Sequence, residues 1–186
     1  MPLLRSEDVE KDGVMQAAKL MAVSARTAPK SGGQDDILTT VVNGAEKDLV
    51  VAEMNKLGDE RNREGFRRDA ENVRTSEVIV LVGVCGNNPF GLNCGACGYA
   101  SCEEFDKAPK KAGQDFIGGN CAFKVLDLGI ALGSAVKTAS MLNVDNRLMY
   151  RVGTAVKRLN MLPNASIIIG IPLSAKGKNI YFDRRV

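Results

Sequence analysis

Three cysteines, Cys94, Cys97 and Cys102, fall within "GLNCGACGYASCEEF" at residues 91–105, and Cys121 follows in "GGNCAFK". The spacing is C-x2-C-x4-C, then 18 residues, then C. A C-x2-C turn brings two thiolates to one centre, a third closes a face, and a distant fourth completes a cage. Soft anionic sulfur suits iron–sulfur clusters. Four cysteine ligands and no histidine anywhere in the chain point to [4Fe–4S], with Cys94, Cys97, Cys102 and Cys121 as metal ligands. Gly91, Gly95 and Gly98 interleave with the first three ligands, and Gly118 and Gly119 precede the fourth. Lacking Cβ, they let the backbone wrap tightly and aim N–H groups at sulfur. The alternatives are a structural zinc site or unligated thiols. Structural zinc sites usually pair two short knuckles, and here the second half is a single residue. Cys85 ends the apolar run "VIVLVGVC" and reads as a small, half-buried residue, with a redox partner or alternative ligand as the other readings.

The missing imidazole excludes Ser-His-Asp triads, zinc–histidine sites, Rieske centres and histidine-ligated haem. A net charge of +3 in 186 residues and 5% aromatics argue against nucleic acid or an anionic membrane as partner. The opening "MPLLRSEDVEKDGV" carries no apolar leader. Asp127 and Lys137 interrupt the longest apolar stretch, so no bilayer span is expected. The expected compartment is a reducing cytoplasm, where clustered cysteines bind metal or do redox work.

The elements that must position these thiols follow from periodicity. Residues 7–25 read as a helix with Val9, Val14, Ala17, Ala18, Met21 and Ala22 on one face, ended by "RTAPKSGG". Residues 36–42 and 76–84 read as strands, the second apolar throughout and so covered on both faces. Residues 45–75 read as helix with a break near Gly58 or Gly65, their charges suggesting an exposed surface. A short helix is expected within 107–115, a long apolar one over 122–142, and another from Asn146 to Leu159 capped by Asn143 or Asp145. Gly129, Ala131 and Gly133 give the long helix a small-residue surface for close packing, in the core or, less simply, across a dimer interface. Residues 165–173 read as a central strand, and "KGKNIYFDRRV" as an edge strand or arm. The whole reads as one α+β domain, helices covering one sheet, with the cysteine segment 85–121 inserted.

On the cysteine residues, "NCGACGYASCEEF" and "GGNC" resemble the iron–sulfur segment of electron-transport complex subunits and of the corrinoid iron–sulfur protein, Gly98 and Phe105 matching neighbours of the ligands. The remainder is similar to the FMN-dependent nitroreductase fold. "RTAPKSGGQDDI" resembles that family's loop after the first helix, "FKVLDLGIALGSAVKTASMLNV" its dimer-forming helix, and "IIIGIPLSAKGKNIYFDR" its closing strand and basic tail. Taken together, nearly the whole chain resembles a family of uncharacterised bacterial and archaeal proteins with a ferredoxin domain on a nitroreductase-like, mainly antiparallel architecture. That resemblance implies a homodimer with flavin at its interface.

An FMN site needs cations and backbone donors for its phosphate and a flat, partly apolar slot. Arg26, Lys30, Ser31, Gly32 and Gly33 would supply the first, with Lys176, Arg184 and Arg185 closing from the tail. Acidic Asp35 and Asp36 would repel a phosphate if they faced it. The expected function is redox: electron transfer or a flavin-linked oxidoreductase, with Lys107, Lys110 and Lys111 receiving an acidic protein partner. The competing readings are a non-catalytic scaffold with a structural zinc site, and a cluster carrier.

Overall fold

The structure, a computed structural model, describes residues 3–182. Its elements are helix α1 (Ser6–Thr27), a 3-10 turn (Ser31–Gly33), strand β1 (Ile37–Val42), helices α2 (Gly44–Glu60) and α3 (Glu64–Thr75), and strand β2 (Val78–Val84). Then come α4 (Cys102–Lys107), α5 (Ala122–Met141), β3 (Asp145–Asn146), α6 (Tyr150–Arg158) and β4 (Ile167–Ser174). The sheet runs β1-β2-β4-β3 with every pairing antiparallel.

All seven residues of β2 are buried because the strand is central and helices lie on both sides. Its Val78, Val80, Val82 and Val84 pack with Val14, Ala18 and Met21 of α1 and Leu128, Ala131 and Ala135 of α5. Ile79 and Leu81 point the other way, to Val50, Met54 and Leu57 of α2, Phe66 and Val73 of α3, and Val152 of α6. The two-residue period of a strand thus feeds two cores. Each fully buried Val, Leu or Ile contributes roughly 1.5–3 kcal/mol, so this strand anchors the domain.

Several expectations are corrected. The break in residues 45–75 falls at 61–63, where Asn62 has φ 48°, and the helices on either side bury one face despite their charge. The short helix lies at Cys102–Lys107 rather than within 107–115, because Ser101 caps it by accepting from the Glu104 amide and Pro109 holds Ala108 extended. Asp145 and Asn146 do not begin α6; they pair with Ser174 and Leu173 as the edge strand, and Met149 is the N-cap. The segment 175–182 is therefore not the sheet edge. It packs through Tyr181, whose hydroxyl hydrogen-bonds to Ser76 Oγ at 2.9 Å. On α1, Val9 is exposed and Ala25 takes its place in the core.

The small-residue surface of α5 is split: Ala131 is buried in the core, whereas Gly129 and Gly133 lie outside it. A Cβ built at Gly129 or Gly133 meets nothing within 4 Å, and neighbouring Val125, Leu126, Ile130 and Met141 are exposed. No helix among the described residues is long and apolar enough to cross a membrane.

Candidate metal centre

The thiols come from two stretches that the fold joins at one point. β2 ends at Val84, and the next residues tie it to its surroundings: the Cys85 amide donates to Asp36 O at 2.9 Å, and Gly86 O accepts from the Cys121 amide at 2.7 Å. Residue 121 is the N-cap of α5, so its sulfur stands at the positive end of the helix dipole, which favours anions. Asn120 fixes the same point from the side. Its Oδ1 accepts from Ser166 Oγ at 2.5 Å, while Ser166 Oγ also accepts from the Gly86 amide at 2.9 Å. A Cβ at Gly86 would lie 2.3 Å from Asn120 Oδ1, so only glycine permits this crossing.

The loop 87–101 then wraps through left-handed backbone at Gly91 (φ 94°), Asn93 (φ 52°), Gly95 (φ 74°) and Gly98 (φ 88°). Glycine reaches such φ values without steric cost, and Asn tolerates them. The Gly98 amide closes a turn on Gly95 O at 2.9 Å around Cys97. The Asn93 amide donates to Cys102 Sγ at 3.3 Å, the kind of N–H to sulfur contact that tunes a thiolate ligand.

From α4 the chain returns by a tight reversal. The Gly118 amide donates to Lys111 O at 2.7 Å, and Ala112 pairs with Ile117. That return brings Cys121 beside the first three cysteines. All four line one pocket, walled by Phe90, Phe105 and Phe123. Phe90 packs on Phe123 at 5.6 Å, and Tyr99 meets Phe105 edge-on at 5.7 Å. Cys121 is buried, Cys97 and Cys102 are half-buried and Cys94 is exposed. Among the described residues no three Cys, Asp or Glu side chains gather tightly enough to ligate one metal ion. Four thiols lining one pocket are the soft donor set that an iron–sulfur cluster takes.

Cys85 is not among the lining residues. Burial, reinforced by Asp36 and opposed by Lys124, pushes its thiol pKa up. A raised pKa disfavours the thiolate that ligation or attack requires.

The proposed flavin residues behave differently. Arg26 pairs with Asp35 at 2.6 Å, and Lys30 lies 3.7 Å from the same carboxylate while donating to the carbonyls of Arg26 and Ala28. The Ser31 amide and hydroxyl both donate to Asp127 Oδ1, at 2.9 and 2.8 Å. Gly32 and Gly33 are left-handed, at φ 57° and 69°. Gly32 backs onto Phe90, where a Cβ would meet the ring at 2.8 Å. Lys176 is not with them: its ammonium donates to Thr75 O at 2.7 Å, beyond the start of β2, whereas Ile37 after the loop pairs with Val84 at the strand's end. At about 3.3 Å per residue the two lie roughly 20 Å apart. Arg184 and Arg185 lie outside the described residues.

Sequence reasoning missed Asn93, Asn120, Ser166, Asp127 and Lys124. Lys124 is 1% exposed and ion-pairs with Asp36 at 2.6 Å. An asparagine beside each cysteine segment was the one signal available. Its partners lie 9 to 46 residues away, so the pairing is invisible before folding.

Comparison with known proteins bears on this geometry. Residues 117–184 match a family described as "uncharacterized protein containing a ferredoxin domain (DUF2148)", a stretch that includes Cys121 but not the other three ligand candidates. An uncharacterized protein of Archaeoglobus fulgidus is 50% identical over 182 residues, covering 98% of this chain and 97% of its own. Among solved structures, nitroreductase CinD from Lactococcus lactis, in complex with nicotinic acid, aligns with TM-score 0.58 at 13% identity, over 99% of this chain and 85% of that one. The FMN-dependent nitroreductase NfnB from Mycobacterium smegmatis, in complex with NADPH, aligns with TM-score 0.56 at 11% identity, over 88% and 78%. These likenesses establish a nitroreductase-like fold.

Proposed function

Since the chain belongs to the family of proteins containing a ferredoxin domain, we propose that it is a one-electron redox protein whose Cys94, Cys97, Cys102 and Cys121 hold a [4Fe–4S] cluster. The observation that carries this is the convergence of those cysteines, from two separate segments, on one aromatic-walled pocket. When bound, such a cluster supplies reversible one-electron exchange. The residues around it do the rest. Phe90, Phe105 and Phe123 keep water from the sulfurs, the Asn93 amide stabilises negative charge on Cys102, and Gly86 with Asn120 and Ser166 holds Cys121 in reach. Cys94, on the exposed side, marks the edge through which an electron enters or leaves.

FMN is not part of the proposed chemistry. Its candidate phosphate donors at Arg26, Lys30 and Ser31 are already committed to Asp35 and Asp127, so the loop does not fit a dianion.

The exposed apolar face of α5 supports a homodimer. The segment 85–121 is an insertion between β2 and α5 in this reading, and the setting is a reducing cytoplasm, where clustered cysteines bind metal. The physiological partner would be a small redox protein.

Anaerobic purification followed by absorption spectroscopy and assay of iron, sulfide, zinc and flavin tests all of this. Brown protein with about four irons and four sulfides per chain is expected. Colourless protein with one zinc would establish the structural-metal scaffold instead, and a stoichiometric flavin band would overturn the exclusion of FMN.

A further inference from the structure

Lys110, expected from the sequence only as part of a docking surface, has a place at the cysteine pocket that the proposed function does not use. Its side chain crosses the second cysteine segment: a Cβ at Gly119 would lie 2.9 Å from Lys110 Cδ. Its ammonium donates to Phe105 O, near the end of α4, and sits 3.7 Å from the centroid of the Phe105 ring. Phe105 follows Cys102 by three residues and lines the cysteine pocket, and Gly119 precedes Cys121 by two. One side chain therefore bridges both halves of the motif, with its charge over a ring that lines the pocket.

Lys107 and Lys124 differ. The Lys107 ammonium is paired with Glu103, and that of Lys124, on the far wall behind Phe90, with Asp36 at 2.6 Å. Among the described residues no carboxylate pairs with Lys110. An ion pair presents a dipole, whose field falls off faster than that of a lone charge. A lone ammonium stacked on a buried ring that lines the cysteine pocket acts in part through hydrocarbon, where the local dielectric is lower than in water.

Building on the cluster reading, we infer that Lys110 is the positioning residue that sets the reduction potential of this centre, its unpaired charge favouring the more negative, reduced state. It also clamps the Cys121 segment to α4, so that the charge and the fourth ligand are held in one register. Lys110 touches no sulfur and is not itself a ligand.

The test uses the full chain, purified anaerobically, with midpoint potentials from a spectroscopically monitored redox titration. Lys110→Gln keeps most of the stem and a donor for Phe105 O but removes the charge. Its midpoint should become more negative, by an amount equal to a several-fold drop in the reduced-to-oxidised ratio at fixed potential, with iron and sulfide content unchanged. Lys110→Arg should keep the wild-type value, and the double variant Glu103→Gln, Lys107→Gln, which removes a whole ion pair at the surface, should leave it unmoved. An unshifted midpoint in Lys110→Gln, or an equal shift in the Glu103→Gln, Lys107→Gln double variant, overturns the assignment. Should Lys110→Gln lose its iron, Lys110→Met, an uncharged chain of similar length, takes its place, and a midpoint equal to that of the wild type there overturns the assignment. A wild-type chain without iron and sulfide would instead sink the cluster reading itself, and this inference with it.

Discussion

Asn93 and Cys102 hold each other twice. The Asn93 backbone amide donates to Cys102 Sγ at 3.3 Å, and Asn93 Oδ1 accepts from the Cys102 amide at 2.8 Å. The clasp closes the cysteine loop at the first residue of α4, with Asn93 at φ 52°. Asn93→Gly keeps the left-handed backbone but loses the side-chain half, about 0.5–1.5 kcal/mol. Asn93→Ala adds strain of roughly 1–2 kcal/mol. Iron release to a chelator should therefore quicken in the order wild type, Asn93→Gly, Asn93→Ala. Equal rates in all three would show that the clasp does not guard the metal.

Cys121 and Cys85 make the sharpest contrast in ligation. Cys121→Ser should lower iron from about four per chain to about three or fewer, because the pocket loses its buried sulfur. Cys85→Ser should retain full iron, since that thiol is outside the pocket lining and burial keeps it protonated. Iron and sulfide assays on the two variants check this, and a Cys85→Ser protein short of iron would make Cys85 a ligand.

Gly153 lets α6 lie against β4. A Cβ there would be 1.7 Å from Ile168 O, a backbone atom that the central sheet cannot move. Gly153→Ala should cost at least about 3 kcal/mol, the upper range for overpacking. Gly13→Ala on α1, where a Cβ meets nothing within 4 Å, should gain about 0.5–1 kcal/mol instead. Chemical denaturation of both variants reads the difference, and a stable Gly153→Ala protein would contradict this packing.

Leu126 and Ile130 are 60% and 45% exposed on α5, on the side where Gly129 and Gly133 leave room for a close neighbour. The double variant Leu126→Glu, Ile130→Glu removes nothing from the domain core, so the fold should persist while the proposed dimer dissociates. Sedimentation equilibrium at micromolar concentration should show a dimer for the wild type and a monomer for the variant. A monomeric wild type would refute the self-association.

Tyr181 is almost fully buried, and burial pushes its phenol pKa far above the ordinary value of about 10, against the opposing hydrogen bond with Ser76. The folded state then holds a proton that the unfolded state releases once pH exceeds about 10. Stability from this group is complete below that pH and falls as pH rises above it, by about 1.4 kcal/mol per pH unit. Tyr181→Phe should start somewhat less stable at neutral pH and lack that alkaline slope. Urea midpoints between pH 8 and 11 measure it, and parallel profiles for the two proteins would show that Tyr181 does not control the slope.

The chain read alone already determined the strand at β2, the long helices α1 and α5, and the glycine-lined spacing of the four cysteines. These are properties of short windows: an apolar run, a helical period, a turn that only glycine can make. What lay beyond it were relations between distant residues. Asp145 and Asn146 look like a helix start until Ser174 and Leu173 offer them a sheet edge. Lys30 and Ser31 look like phosphate donors until Asp35 and Asp127 claim them. Gly129 and Gly133 look like core until the other helices pack elsewhere. Lys110 gains its place only because the return from α4 lays Gly119 beneath its stem. Local dihedral and burial preferences act along the chain, but which charges pair and which faces stay open is decided by contacts across it, and those exist only once the two cores have closed around the sheet.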